Sequence, residues 1–144
     1  MRGDDIAEKM LSALAQMLID DRFLIEVGAN ERAMTSRLAA YVKSQFVGYD
    51  VDCEYNRMGN AQKRLLTLNN QRVYPDIIVH KRGTNEMNLL VIEAKKEGVS
   101  NRADILKLHA YKQDLHYQHA CMVIFPSTPQ HLHDEALSRY IQVY

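Results

Sequence analysis

Val73-Tyr74-Pro75-Asp76-Ile77-Ile78-Val79-His80-Lys81 and Met87-Asn88-Leu89-Leu90-Val91-Ile92-Glu93-Ala94-Lys95 read as two strands, joined by Arg82-Gly83-Thr84-Asn85-Glu86. Ile, Val and Leu dominate both runs, and Gly83 and Asn85 supply turn chemistry between them. Folded symmetrically about Thr84 and Asn85, the hairpin sets Asp76 directly opposite Glu93. Opposed residues on one face of an antiparallel pair have Cβ atoms roughly 4.5–5.5 Å apart. Both carboxylates then point the same way from adjacent positions. Lys95 lies two residues beyond Glu93 and shares its face, while Ala94 and Lys96 take the other. The same register puts Tyr74 opposite Lys95.

Two carboxylates side by side on an apolar sheet are costly. They repel across the ladder, and a partly buried carboxylate needs a partner. A hard divalent cation answers both needs, because Mg²⁺ binds through one or two carboxylates and completes its shell with water and phosphate. The plain alternative is a surface hairpin with its charges in solvent. Against it, Ile77-Ile78-Val79 and Leu89-Leu90-Val91-Ile92 are apolar on both faces, which suits strands covered on both sides.

Pro75-Asp76, a hairpin, then Glu93-Ala94-Lys95 resembles the PD-(D/E)XK nuclease superfamily. Charged residues are 25% of the chain, so an acid-x-Lys triplet alone says little. Here, though, Glu93-Ala94-Lys95 is the one acid-x-Lys and Pro75-Asp76 the one Pro-Asp, in the right order and phase.

The 144 residues fit one domain, spanning 1–144, and a 47% hydrophobic fraction supports a real core. Formal net charge is zero, so no global positive field announces nucleic acid, and any such partner must be held locally. Cys53 and Cys121 fall in expected strands and read as small core residues of a reducing compartment. Without a bilayer-length apolar run or a signal-peptide pattern, a cytoplasmic protein with no membrane contact is expected.

Ile6, Met10, Leu14, Met17 and Leu18 recur at helical spacing over residues 5–20. Residues 22–29 read as a connector. Asn30 can cap a second helix over 31–45, with Met34, Leu38, Tyr41 and Val42 as its stripe. Glu31 falls on that inward stripe, though an acid in a first turn also suits the helix dipole. Residues 47–56 alternate as a strand, whose Glu54 reads as a solvated edge carboxylate and only an outside candidate for the site. Ser100 or Asn101 starts a helix reaching about His116, with Ile105, Leu108, Tyr111 and Leu115 inward and Asp104 placed to complete a cap. Residues 120–125 form a strand. Thr128-Pro129 opens a last helix ending near Tyr140.

Residues 57–72 form a long connection holding Arg57, Lys63, Arg64 and Arg72 and no acid. It reads as the one local basic patch, in contact with phosphate, against the alternative of a solvated surface segment. His116 and His119, like His131 and His133, lack metal-ligand spacing to a Cys or carboxylate and read as surface or helix-end residues.

The order helix–helix–strand–strand–strand–helix–strand–helix (α-α-β-β-β-α-β-α) matches the restriction-endonuclease-like core: an α/β fold with a mixed four-stranded sheet flanked by helices. The resemblance covers residues 30–125 or so. It implies a Mg²⁺- or Mn²⁺-dependent nuclease that hydrolyses phosphodiester bonds of nucleic acid, DNA by expectation, without extended sequence recognition. Asp76, Glu93 and the Ala94 backbone carbonyl would hold the metal. Lys95 would position or help deprotonate the attacking water, and Glu31, rather than Glu26, would orient water or share a metal. Targeting would come from a homodimer or a protein partner. The alternative is a nuclease-like module that no longer cuts and binds nucleic acid or a protein.

Overall fold

Strands apolar on both faces need helices on both sides. The protein supplies them in the computed structural model, which describes residues 1–55, 63–65, 68–128 and 134–144. Helices α1 (Gly3–Asp20), α2 (Arg22–Glu26) and α3 (Glu31–Gln45) precede strand β1 (Asp50–Cys53). A small hairpin follows, β2 (Arg64–Leu65) with β3 (Gln71–Arg72), then β4 (Ile77–His80) and β5 (Leu90–Lys96). Next come α4 (Arg102–Leu115), β6 (His119–Phe125), α5 (Asp134–Leu137), a 3₁₀ turn at Ser138–Tyr140 and β7 (Ile141–Val143). The result is an α/β fold built on a five-stranded mixed sheet in the order β1-β4-β5-β6-β7. β5 and β6 pair in parallel across α4, and the other neighbours are antiparallel.

Side-chain alternation sorts the sheet into two cores. Ile77, Val79, Leu90, Ile92 and Ala94 pack under α1 and α3, against Leu14, Met17, Leu38 and Val42. Ile78 and Val91 face α4, meeting Leu108, Tyr111 and Leu115. The helical stripes read from the sequence are thus the buried faces of α1, α3 and α4. Asn30 caps α3, its side chain accepting from the Ala33 amide at 2.8 Å.

Several expectations change. The sheet has five strands and not four, because Ile141-Gln142-Val143 pairs with Val123-Met122-Cys121. Of the expected last helix the described residues hold α5 and a 3₁₀ turn, and Pro129, its expected start, lies outside the described residues, as do His131 and His133. The connector after α1 contains a short helix, closed by Gly28 at φ +61°. Cys121 is buried, but Cys53, at the end of an edge strand, is exposed. No helix among the described residues is long and apolar enough to cross a membrane.

The Asn30 cap is a local contribution that can be isolated. Asn30→Ala should lower stability by about 1 kcal/mol, while Asn30→Asp should keep most of it. Urea unfolding would show a lower midpoint at an unchanged slope for the alanine variant alone. Equal midpoints for all three proteins would mean that the cap contributes nothing.

Candidate active site

The hairpin register brings the acids together. Ile77 pairs with Ile92, Ile78 with Val91 and Val79 with Leu90, so the next step of the ladder sets Asp76 opposite Glu93. Asp76 is pinned from both sides. Its carbonyl accepts from the Glu54 amide at 3.2 Å, and its Oδ2 accepts from the Ala94 amide at 2.9 Å. The amide and carbonyl of one strand residue point to the same edge, so the Ala94 carbonyl also faces the Asp76 side. Glu93 is only 4% exposed, and the Tyr111 hydroxyl of α4 donates to its Oε1 at 2.9 Å.

Burial pushes the Glu93 carboxyl well above its ordinary pKa, and a hydrogen bond to Asp76 and the charge of that neighbour add to the rise. Tyr111 pulls the other way. Glu93 is therefore held towards its protonated form in the metal-free protein. Burial and Glu93 together raise the Tyr111 phenol, which stays a donor.

Lys95 lies on the same face. Its Nζ sits 3.5 Å from Asp104 Oδ2 on α4 and 3.7 Å from Glu31 Oε1 on α3. Burial works against the ammonium, but Asp104 and then Glu31 outweigh it and raise the lysine pKa. Lys96 points away, as strand alternation requires. Its Nζ reaches the Gly28 carbonyl at 3.2 Å, and its amide donates to Glu31 Oε2 at 3.3 Å. Both oxygens of Glu31 are thus turned to the lysine pair.

Asp104 is not a cap. Asn101 makes no side-chain capping bond at the start of α4, and Asp104 turns inward to Lys95. A signal was present: Asp104, Leu108, Tyr111 and Leu115 share one helical stripe, so an acid lies on an apolar face. Tyr111, a core residue of the same stripe, is also the partner of Glu93.

Glu54 enters the site region, ion-paired with Arg32 at 3.1 Å beside Asp76. Glu26 stays on the surface with Arg22. The basic segment does not form one exposed patch. Lys63 is 1% exposed, with its Nζ over the Tyr55 ring at 4.8 Å, and burial pushes its pKa down to about 8. It belongs to an interior polar cluster with His80 and Asp52, whose side chains meet at 2.7 Å. Arg64 and Arg72 are exposed and face each other across the small hairpin, and Arg57 lies outside the described residues.

Among the described residues no three His, Cys, Asp or Glu side chains form a ready-made metal cage. The donors of the Asp76–Glu93 pair are hard oxygens, with the Ala94 carbonyl on the same edge. That set suits Mg²⁺ or Mn²⁺, which need few carboxylates and keep water, and does not suit zinc. A metal ion held by the pair would compete with the proton on Glu93. Comparison of the chain with family models, curated proteins and solved structures finds no match, so the geometry carries the reading.

The raised Glu93 pKa has a pH signature. Above the ordinary glutamate value the folded state binds more protons than the unfolded chain, so metal-free stability falls as pH rises towards the folded pKa. Glu93→Gln keeps an acceptor for Tyr111 and removes that titration. Melting in EDTA from about pH 4 to 8 should show the variant gaining on wild type as pH rises. Parallel curves would mean that Glu93 is ionised in the fold.

Proposed function

We propose that the protein is a metal-dependent nuclease hydrolysing phosphodiester bonds of nucleic acid, without extended sequence recognition. The observation that carries this reading is the buried Glu93 opposite the half-buried Asp76, with the Lys95 ammonium on the same strand face. The strand-end acids, the Glu93-Ala94-Lys95 triplet and the β4–β5–α4–β6 order also support a restriction-endonuclease-like reading of the α/β fold.

Asp76 and Glu93 would hold Mg²⁺ or Mn²⁺ once Glu93 gives up its proton, with the Ala94 carbonyl beside them. A bound ion supplies charge neutralisation at the phosphate and a more acidic bound water. Tyr111 fixes the orientation of Glu93 through its hydroxyl. Lys95 stays an ammonium at neutral pH because Asp104 and Glu31 hold its pKa up. Its role is therefore narrower than base catalysis: it offers positive charge and donors to the phosphate as charge builds. Glu31 and Asp104 position that ammonium from two helices. DNA is the expected polymer, with Arg64 and Arg72 as phosphate contacts.

Asp76→Asn should abolish cleavage while the protein still folds, since the amide oxygen can still accept from Ala94. Lys95→Ala should slow single-turnover cleavage about 10²–10³-fold at saturating Mg²⁺ and substrate, and Lys96→Ala should stay near wild type. The assay uses linear, circular, single-stranded and branched substrates with Mg²⁺ or Mn²⁺. Wild-type rates in Asp76→Asn would sink the site, and equal losses in the two lysine variants would sink the assigned face. No cleavage and no thermal shift with either metal would favour a module that does not cut.

A further inference from the structure

A cleft of about 480 Å³, lined mainly by polar residues, opens onto Asp76. The first turns of α3 form one wall, with Glu31, Arg32, Thr35 and Ser36, and Glu54 closes the other side. Its volume lies within the range of small-ligand sites, roughly 300–1,000 Å³. Glu54 reaches it by leaving β1 in a left-handed backbone conformation, φ 50°, uncommon outside Gly, Asn and Asp. The Glu54 amide is held by the Asp76 carbonyl, so this turn is tied to the candidate active site itself.

We propose that this cleft takes the base and sugar of one unpaired nucleotide next to the phosphate held at Asp76 and Glu93. The substrate is then a single-stranded or locally unpaired polymer. This rests on the nuclease reading for what brings the polymer there.

Charge decides between the parts of a nucleotide. Three acids, Glu31, Glu54 and Asp76, line the cleft against two cations, Arg32 on Glu54 and Lys95 on Glu31. A second phosphate would meet more negative than positive charge there, whereas the uncharged base and sugar would not be repelled. Hydrogen bonding supplies the attraction. The Arg32–Glu54 pair sets donors beside an acceptor, the combination that base edges present in complement. The Thr35 and Ser36 hydroxyls can serve as either partner. No aromatic side chain lines the cleft among the described residues. Stacking, which tolerates any base, is therefore missing, and hydrogen bonding discriminates. A base inside a duplex is stacked and paired and cannot enter unless it is extruded.

The test uses the full chain in EDTA, with deoxyadenosine, deoxycytidine, deoxyguanosine and thymidine as uncharged probes followed by amide NMR. The expected result is shifts at Arg32, Ser36 and Glu54, with affinities for the four bases spread over about tenfold. Ser36→Phe, at an exposed helix position, fills the cleft and should abolish them. Arg32→Ala, equally exposed, should weaken them and serves if the bulkier change fails to fold. No shift at these amides, or undiminished shifts in both variants, overturns the proposal. Cleavage assays with Mg²⁺ separate it from the reading beneath it. Nucleoside binding without any cleavage would keep the cleft and remove the nuclease. Single-strand cleavage at wild-type rate by folded Ser36→Phe would keep the nuclease and remove the cleft.

Discussion

The buried Glu93 beside Asp76 is the constraint around which the rest of the molecule is arranged. A glutamate 4% exposed and next to another acid cannot hold its charge at low cost. The fold answers with a Tyr111 hydroxyl on Glu93 and an Ala94 amide on Asp76. Each comes from a different element, so each fixes a relationship. Ala94 holds β5 to the start of β4, and Tyr111 holds α4 over β5. The Glu54 amide on the Asp76 carbonyl brings in β1. An apolar pair at these positions would pack at less cost. Under the nuclease reading, the acids stay where burial opposes them because the chemistry uses them.

Lys95 extends this arrangement across the sheet. It lies at the end of β5, where side chains from both helical layers can reach one ammonium. Asp104 comes from α4, which covers one face, and Glu31 from α3, which covers the other. Glu31 also takes the Lys96 amide, so one carboxylate joins α3 to consecutive residues of β5. An ammonium between two carboxylates costs less to bury than one left alone. The same pairing fixes where the charge sits. Spacing and protonation state thus follow from packing that no single strand or helix could provide.

The parts legible in the sequence are those whose cause is local. The hairpin register follows from two apolar runs and a short turn, and the stripes of α1, α3 and α4 follow from helical period. The Asn30 cap follows from one side chain placed three residues before its donor. What could not be read depends on the rest of the fold. Ile141-Gln142-Val143 is too short to declare itself a strand and becomes one because β6 offers an open edge. Lys63 sits in a run of basic residues, yet its stem is covered and its charge meets Tyr55 and the Asp52–His80 pair. Cys53 sits in an expected strand but at its end, on the sheet edge, and is exposed. Asp104 shows both sides of the problem. Its first-turn position suggested a cap, and its place on an apolar stripe, the stronger signal, pointed inward.

A chain with 18 basic and 18 acidic residues has no long-range field to gather a polyanion. Much of its positive charge is also engaged: Arg22 with Glu26, Arg37 with Asp21, Arg82 with Asp52 and Arg32 with Glu54. Under the nuclease reading, a phosphate approaching the metal-free site meets Asp76, Glu31 and Asp104 around one lysine. Divalent metal changes the sign of that encounter, because it brings positive charge in exchange for a proton. Binding of metal and binding of polymer are then coupled, and coupling between two binding free energies is reciprocal. The polymer must strengthen the metal as much as the metal strengthens the polymer. Under that reading the acid pair would serve affinity as well as chemistry, which is why a chain of zero formal net charge can still be read as one that handles nucleic acid.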